Sequence, residues 1–390
     1  MIKKGQDKVD ELKKAYPKLR LSADDIKDLK LIYKDPNLAT GGTKEAVLAQ
    51  FIKRVVKIKT SGYLANVIRS GGSENDSKEI FARINNRTKG WKSGVWAQVS
   101  VARTKYSKDD NSLGDYTDTQ NGGFIGYDKY IAQEDLPEKL MLGVYTKVNG
   151  HNISQGSTDE GKITDTGAGV YGSYEEEKWQ VKAIIGGSYD AYNNNKRELE
   201  ISVSQLDSVN KKLVKAKDFA GYGIGCNLEG ALKVKLSNKF KLKPYFGLDA
   251  RRSYYDSIKE ESSDEELRVN TGAGNYNRSF AKTGLVIEQK INKFGWNVNA
   301  EYRRLLSNNL PKIVSAYTYS GDYACGSAYK TITEKEVADI GTEEDRDVLG
   351  AGVGGNYNIT KNVSVFANID ILIAKGYQNM KANLGASYRF

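Results

Sequence analysis

Two glycine-rich stretches have the spacing of a dinucleotide-binding motif. The sequence reads GAGVYG at 167–172 and GAGVGG at 350–355, and each stretch matches G-x-G-x-x-G. A nucleotide-binding fold needs this motif between a strand and a helix, so that the helix N-terminus faces the pyrophosphate. Both stretches instead lie inside alternating runs that more strand-like sequence follows. We therefore interpret the glycines as one face of a strand, where missing side chains leave room for a helix. They are Gly167, Gly169, Gly350, Gly352 and Gly354.

Acidic residues recur on this same predicted face. Paired carboxylates perform acid and base catalysis in glycoside hydrolysis. However, the strands that carry these acids are spread along the chain, and basic residues lie among them. A hydrated, ion-paired pore lining is the preferred interpretation, and we expect no enzyme activity. The acids are Asp128, Glu229, Asp249, Glu301 and Asp370, and the basic residues are Lys233, Arg251 and Arg303.

Histidine and cysteine are too rare for metal or redox chemistry. The chain has one histidine, His151, and two cysteines, Cys226 and Cys325. These residues cannot form a His/Cys metal cluster or a paired CxxC site, so we expect no metal and no cofactor. Cys226 falls on the apolar face of a predicted strand and Cys325 in a long loop. Both are therefore expected to be free thiols.

From Trp91 onward, hydrophobic residues recur with a period of two. In 220–236 and again in 362–374, one face is apolar and the other is polar or small. Such strands suit a wall between lipid and water. The mean hydropathy of -0.58 and the absence of an 18-residue apolar run exclude transmembrane helices. They do not exclude a transmembrane barrel, whose apolar residues lie at alternate positions.

The pattern predicts twelve strands. They lie near 91–106, 116–131, 137–151, 161–176, 178–192, 219–236, 239–256, 272–290, 294–306, 346–359, 361–373 and 378–390. The connections after the second, fourth, sixth, eighth and tenth strands are short. Those after the fifth, seventh and ninth are long and polar, for example 257–271 and 307–345. An even strand number with short turns on one side predicts a twelve-stranded antiparallel transmembrane β-barrel of the outer membrane.

Aromatic residues support a membrane interface on the short-turn side. All four tryptophans lie at the starts of odd-numbered strands, which predicts an aromatic girdle. Phe240 and Tyr357 fall on the same side. The last predicted strand, KANLGASYRF at 381–390, alternates in the same way and ends in Tyr388 and Phe390. The tryptophans are Trp91, Trp96, Trp179 and Trp296.

The first 90 residues differ from the remainder in charge and in period. They hold 20 Lys and Arg against 11 Asp and Glu, whereas the remainder holds 39 against 38. Apolar residues at spacing four predict a short amphipathic helix at 43–59 behind a Thr43 cap, and another begins near Asp76. The cations are mixed with acids in helix-like stretches, so we expect no nucleic-acid binding. The predicted domains are a basic, helical segment at 1–74 and a barrel domain at 75–390.

The first twenty residues have a charged start but no apolar stretch typical of a secretory signal peptide. Two interpretations follow: the protein is cytoplasmic, or its true N-terminus is missing. Two alternatives to an export barrel therefore remain open. One is a general porin for small solutes, and the other is a soluble β-rich protein.

Several stretches together resemble a known family. They are the terminal LGASYRF, GVWAQV at 94–99, FIGYDKY at 124–130 and the helix ahead of the first strand. Residues 75 to 390 resemble the C-terminal translocator domain of type V secretion autotransporters. The resemblance implies that a passenger polypeptide passes through the barrel to the cell surface. It also implies that the last strand is the signal read by the barrel-assembly machinery. The signal residues are Leu384, Ala386, Tyr388 and Phe390.

The resemblance further places a helix at about 76–88 inside the lumen. Three basic residues, Arg83, Arg87 and Lys89, would then face a lumen lined by acids. Attraction between the two sets predicts that the helix acts as a plug. The acids in this prediction are Glu229, Asp249, Glu301 and Asp370.

Some autotransporters release their passenger by self-cleavage at an Asn-Asn pair inside the barrel. Asn85-Asn86 is the candidate pair here, and it lies close to the predicted barrel entry. Adjacent asparagines also occur at 193–195 and 308–309, so coincidence is the preferred interpretation. The usual passenger is a long β-helix, which 74 basic, helical residues cannot form. We therefore interpret residues 1–74 as a passenger remnant or linker, and the sequence leaves the activity of the passenger undefined.

Overall fold

The computed structural model describes the barrel and two helical segments before it. The described residues are 63–70, 76–85, 93–107, 115–131, 140–155, 159–201, 210–237, 240–262, 268, 270–309 and 346–390, with short pieces between 313 and 339. Four features named above lie outside these ranges: the predicted helix at 43–59, Asn86, Arg87 and Lys89. Trp91 lies outside them as well.

Twelve of the described strands form a closed antiparallel wall, as the sequence predicts. They are β1 (Ser93–Tyr106), β2 (Tyr116–Ile131), β3 (Leu140–Gln155), β4 (Asp159–Glu175), β5 (Trp179–Ile201), β6 (Phe219–Leu232), β7 (Phe240–Tyr255), β8 (Gly274–Ile291), β9 (Phe294–Asn309), β10 (Asp347–Asn358), β11 (Val363–Ala374) and β12 (Tyr377–Arg389). Each strand pairs with its neighbours in this order, and β12 pairs with β1 to close the barrel. Closure removes the unpaired strand edges that a bilayer does not tolerate.

The alternation in sequence becomes an alternation between lipid and lumen. In β1, Val95, Val99 and Val101 are exposed on the outer surface, whereas Gln98 and Ser100 are buried inside. Burial of polar residues with exposure of valines is the reverse of a water-soluble protein. It fits a wall with lipid outside and a polar lumen.

The predicted short connections between β4 and β5, β6 and β7, β8 and β9, and β10 and β11 lie at one end of the barrel, where β1 also begins. The connections between β3 and β4 and between β11 and β12 are short as well, and they lie at the opposite end. The turn between β8 and β9 has only two residues, and Asn292 adopts a φ of 52° there. Asparagine tolerates this left-handed conformation, which two-residue hairpin turns require. We call this end the turn end and the opposite end the loop end.

At the loop end, the sheet continues beyond the wall. The outer part of β5 pairs with a strand at Asn210–Ala216, which in turn pairs with one at Ile258–Ser262. The sequence prediction ended the fifth strand at residue 192 and missed this extension. Val214 and Ile258 are fully buried beneath it. The extension therefore covers part of the barrel mouth.

Two helices fill much of the lumen. Helix α1 spans 63–70 and packs near the loop end, in a cluster with Tyr116, Ile153 and Ile163. Helix α2 (Asp76–Asn85) packs near the turn end. Its apolar residues Ile80 and Ile84 contact a second cluster there. No helix among the described residues is long and apolar enough to cross a membrane.

The predicted tryptophan girdle is wrong for Trp96. Its side chain points into the lumen, where the indole N–H donates a 2.7 Å hydrogen bond to the Tyr171 hydroxyl. Trp96 shares its face with Gln98, not with the exposed valines of β1, so the strand phase turns it inward. Trp179 is exposed on the outer surface, and the Trp296 ring packs edge-on against Phe240 at 6.2 Å. These residues lie on the turn-end interface as predicted.

The glycines of the two nucleotide-like stretches face the lumen, but neighbouring wall side chains occupy the space beside them. A Cβ on Gly169 would lie 2.5 Å from the Tyr145 ring, and one on Gly167 would lie 2.7 Å from the Lys147 side chain. Gly352 and Gly354 face Asp370 and Asn368 in the same way. These glycines therefore make room for side chains of neighbouring strands, and not for a helix.

Candidate functional site

Helix α2 is fixed at the turn end by a buried ion pair. Arg83 Nη2 lies 3.1 Å from Asp128 Oδ2 of β2, and both side chains are buried. The other partner of this carboxylate is Tyr171 of β4, whose hydroxyl donates at 2.9 Å. Because Tyr171 also accepts from Trp96, a continuous chain of polar contacts links α2 to three strands.

A second set of charges fixes the first turn of α2 to the barrel closure. Lys78 Nζ lies 3.9 Å from Asp370 Oδ1 of β11, and Glu79 pairs with Lys381 of β12. Asp370 and Lys381 are direct cross-strand neighbours. Two consecutive helix charges therefore meet two wall charges of opposite sign. The two wall residues lie close enough to neutralise each other if the helix leaves.

Phe81 of α2 lies between two lysines of the wall. Lys182 Nζ and Lys282 Nζ are 4.7 Å and 4.8 Å from the centre of its ring. Both lysines pair with Glu229 of β6. Lys182 also donates a 3.2 Å hydrogen bond to Asn85 Oδ1 at the end of the helix. The aromatic face thus adds a cation–π contact to each lysine.

The predicted lumen acids all face the lumen, but most have partners on the wall. Asp249 accepts a 2.8 Å hydrogen bond from Asn227. Glu301 accepts one from the Tyr245 hydroxyl at 2.8 Å and pairs with Arg303. Within the described residues, Arg83 pairs with Asp128, which the sequence identified as a lumen acid but not as a partner of the plug.

Helix α1 is held mainly through its backbone, which the sequence analysis did not predict. The hydroxyls of Tyr192 and Tyr276 each donate to the Ile68 carbonyl at 3.1 Å. The Tyr116 hydroxyl donates to the Asn66 carbonyl at the same distance, and the Asn66 amide donates to Gln155 at 2.9 Å. The tyrosines lie at the loop ends of β2, β5 and β8. The sequence feature that could have indicated these contacts is the presence of tyrosines among polar residues near the loop end of the wall.

The sheet extension closes over α1. Arg197 makes two hydrogen bonds to Glu260, at 3.0 Å and 2.7 Å, and both side chains are buried. This bidentate ion pair joins the outer part of β5 to the strand at Ile258–Ser262. Beneath it, burial and the charges of Asp159 and Glu160 raise the pKa of the Tyr63 phenol well above its ordinary value.

Further pairs of polar residues line the lumen along the wall. Lys147 Nζ lies 2.6 Å from Asp165 Oδ2, and His151 Nδ1 lies 3.2 Å from Asp118 Oδ2. In the part of the chain that the structure describes, no group of three His, Cys, Asp or Glu side chains is arranged to hold a metal ion. Cys226 is an exposed free thiol on the outer surface, in agreement with the sequence analysis.

Comparison with known proteins identifies the family. The autotransporter beta-domain model matches residues 95–370, which is more than two thirds of the chain. The translocator domain of autotransporter NalP from Neisseria meningitidis has a similar structure, with a TM-score of 0.61 at 12% identity over 85% of this chain and 99% of that one. The beta domain of the Bordetella autotransporter BrkA has a TM-score of 0.53 at 15% identity, over 77% of this chain and all of that one.

At these identities the solved structures establish the fold alone. No curated protein sequence matches the chain significantly. The family model provides the assignment, because it matches most of the barrel by sequence. The chain belongs to the autotransporter beta-domain family, and it is a translocator barrel of the outer membrane.

Proposed function

We propose that the barrel exports the polypeptide ahead of residue 63 and that residues 63–85 are the part of that polypeptide left in the pore. One observation carries this proposal: the two described helices lie inside the lumen at opposite ends. Helix α1 packs at the loop end, α2 packs at the turn end, and β1 begins at the turn end. In outer-membrane barrels the long loops face the outside. A chain on this path has its N-terminal side at the cell surface.

The main alternative is a porin for small solutes. A porin needs an open, hydrated lumen, whereas α1 and α2 here are largely buried inside the wall. Conductance of the reconstituted barrel distinguishes the two functions. We expect low conductance from the full chain and a large increase after deletion of residues 1–90. Equal, high conductance from both forms would favour the porin.

We further propose that the barrel-assembly machinery reads the outer face of β12. Leu384, Ala386, Tyr388 and Phe390 all point outward, and the rings of Tyr388 and Phe390 pack edge to face at 5.4 Å. Such a row of apolar and aromatic side chains gives a recognition surface that does not disturb the lumen. β12 also closes the barrel against β1, so recognition and closure involve the same strand.

We also propose that the barrel is not an enzyme and that the chain is not cut at Asn85-Asn86. Self-cleavage requires the Asn85 amide to lose a proton as it attacks the backbone carbonyl. Among the described residues, Lys182 contacts the Asn85 side chain: it donates to Asn85 Oδ1 and is ion-paired with Glu229. Because Lys182 directs its N–H groups at the Asn85 amide oxygen and at Glu229, it is not placed to accept a proton from the amide nitrogen. Residues 1–74 then remain attached as a passenger remnant or linker.

A further inference from the structure

Three tyrosines form a row on the outer surface of β5, β6 and β7, near the loop end. Tyr189 lies opposite Tyr222 in the β5–β6 register, and Tyr222 lies opposite Tyr254 in the β6–β7 register. The Tyr222 and Tyr254 rings are stacked, with centroids 4.9 Å apart and an angle of 15° between their planes. Tyrosines on the outer surface of a barrel mark the level where hydrocarbon meets headgroups.

Below this row, toward the turn end, the outer surface is apolar. This surface contacts acyl chains in a bilayer. Its exposed residues on the same three strands are Ile185, Ile224, Cys226, Leu228, Phe246 and Leu248. The tyrosine row therefore lies at the upper border of a hydrocarbon-contacting surface.

Arg252 breaks the apolar pattern at this border. It points outward from β7, one outward position below Tyr254, and lies opposite Ile224 of β6. Its guanidinium carbon is 5.2 Å from the centre of the Tyr254 ring. The side chain therefore extends from the apolar level toward the loop end, as a long cationic side chain does when it reaches for the headgroup region.

The charge of Arg252 is not matched by the protein. Among the described residues, its guanidinium lies against the Tyr254 ring, and no carboxylate pairs with it. Arg304 provides a comparison, because it is also exposed on the outer surface near the loop end. Arg304 Nη1 lies 3.1 Å from Asp347 Oδ1. An outward arginine at the lipid border without an acid is suited to an anion supplied by the lipid.

We propose that Arg252 and the adjoining tyrosines bind the phosphate of an outer-leaflet lipid headgroup. The planar guanidinium can donate two parallel hydrogen bonds to phosphate oxygens, and stacking on Tyr254 holds it in place. The Tyr222 and Tyr254 hydroxyls add donors at the same level, and the apolar surface below accepts the acyl chains. The site rests on the proposed outer-membrane orientation, in which the loop end faces outside. We therefore assign the phosphate to a phosphorylated sugar lipid of the outer leaflet.

Native mass spectrometry of the full chain in detergent tests this site. The probes are bisphosphorylated lipid A, the same lipid with its phosphates removed, and inorganic phosphate. We expect Arg252→Gln to lower the fraction bound to phosphorylated lipid A about tenfold, the value for loss of a charged hydrogen bond. Binding of the dephosphorylated lipid should be equal in the variant and the wild type.

Arg304→Gln is the matched control, since it removes an outward arginine that already has an acid partner. It should leave lipid binding unchanged.

If Arg252→Gln does not fold, Arg252→Lys is the second variant. It keeps the positive charge but lacks the two parallel N–H donors of the guanidinium, so it should bind phosphorylated lipid A more weakly than wild type. Equal binding by wild type and the Arg252 variant would overturn the site, as would equal losses in both arginine variants. Displacement of the lipid by millimolar inorganic phosphate would identify a free-anion site instead. Export of a passenger by Arg252→Gln tests the translocator function separately.

Discussion

Arg83 of α2 and Asp128 of β2 form an ion pair of 3.1 Å in which the two side chains are 1% and 0% exposed. Removing one partner of a buried pair costs about 3–5 kcal/mol, because the remaining charge is left without compensation. Exposed pairs contribute far less. This contact and the equally buried pair of Glu79 with Lys381 are therefore the main electrostatic attachments of the helix to the wall.

Replacement of Arg83 by methionine should open the pore. The substitution leaves Asp128 without its counter-charge and frees α2 at the turn end, while the hydrogen bonds of the wall are unaffected. We expect higher single-channel conductance from the reconstituted barrel, with unchanged β-sheet content by circular dichroism. Lys78→Met, at a longer and more exposed pair, is the control and should raise conductance less.

A charge exchange sharpens this test. Arg83→Asp combined with Asp128→Arg restores an attractive pair and should return conductance toward the wild-type value. If Arg83→Met conducts like the wild type, the ion pair does not hold the plug.

Ile369 and Asn299 test which face of the wall contacts lipid. Ile369 is exposed on the outer surface near mid-membrane, so Ile369→Arg should cost about 2–4 kcal/mol of unfolding free energy. Asn299 faces the lumen beside Gly352 and near Asp370. Asn299→Arg therefore places its charge in the polar lumen near an acid, and it should cost much less. Urea unfolding in lipid vesicles measures both, and equal costs would mean that the two faces are assigned wrongly.

Deletion of Phe390 should reduce the amount of folded barrel in the outer membrane. Phe390 is 65% exposed on the outer surface and packs against Tyr388, so its loss removes part of the proposed recognition surface. The measurement is the heat-modifiable fraction in isolated outer membranes. Ser387→Ala alters an inward residue of the same strand and should leave that fraction unchanged. Similar fractions for the deletion and the wild type would remove Phe390 from the assembly signal.

The Asn85-Asn86 peptide bond should stay intact in the assembled barrel. Lys182 donates to the Asn85 amide oxygen and pairs with Glu229, so it is not placed to act as a base toward the Asn85 amide nitrogen. Mass spectrometry of the membrane-extracted protein should therefore detect one uncut chain, for the wild type as for Asn85→Ala. A fragment beginning at Asn86, present in the wild type and absent in the variant, would establish self-cleavage.

The strands of the wall could be predicted because the pattern that defines them lies in neighbouring residues. Alternation in β1 and β12 and the short turns determine which residues face lipid, and Tyr388 and Phe390 follow from that alternation alone. Trp96 was also predictable in principle, since the valines of β1 define its phase, but its aromatic type favoured the interface. For the orientation of Trp96, the alternation along the strand was therefore a better predictor than the aromatic residue type.

The contents of the lumen were not predictable in the same way. Helix α1 receives hydrogen bonds from Tyr116, Tyr192 and Tyr276, which are brought together only when the barrel closes. Similarly, Arg83 had several lumen acids as possible partners, and the choice of Asp128 depends on the depth and rotation of α2. The partners of both helices depend on contacts between segments that are far apart in sequence. The alternation of apolar and polar residues along a strand does not predict such contacts.

Surface exposure of the N-terminal side tests the central claim most directly. An epitope placed ahead of Met1, behind a leader that directs the chain to the periplasm, can be probed with antibody and protease on intact cells. The account predicts that the epitope is accessible on intact cells in which the barrel is folded in the outer membrane. An epitope that becomes accessible only after the outer membrane is permeabilised, with the barrel folded, would contradict export through this pore.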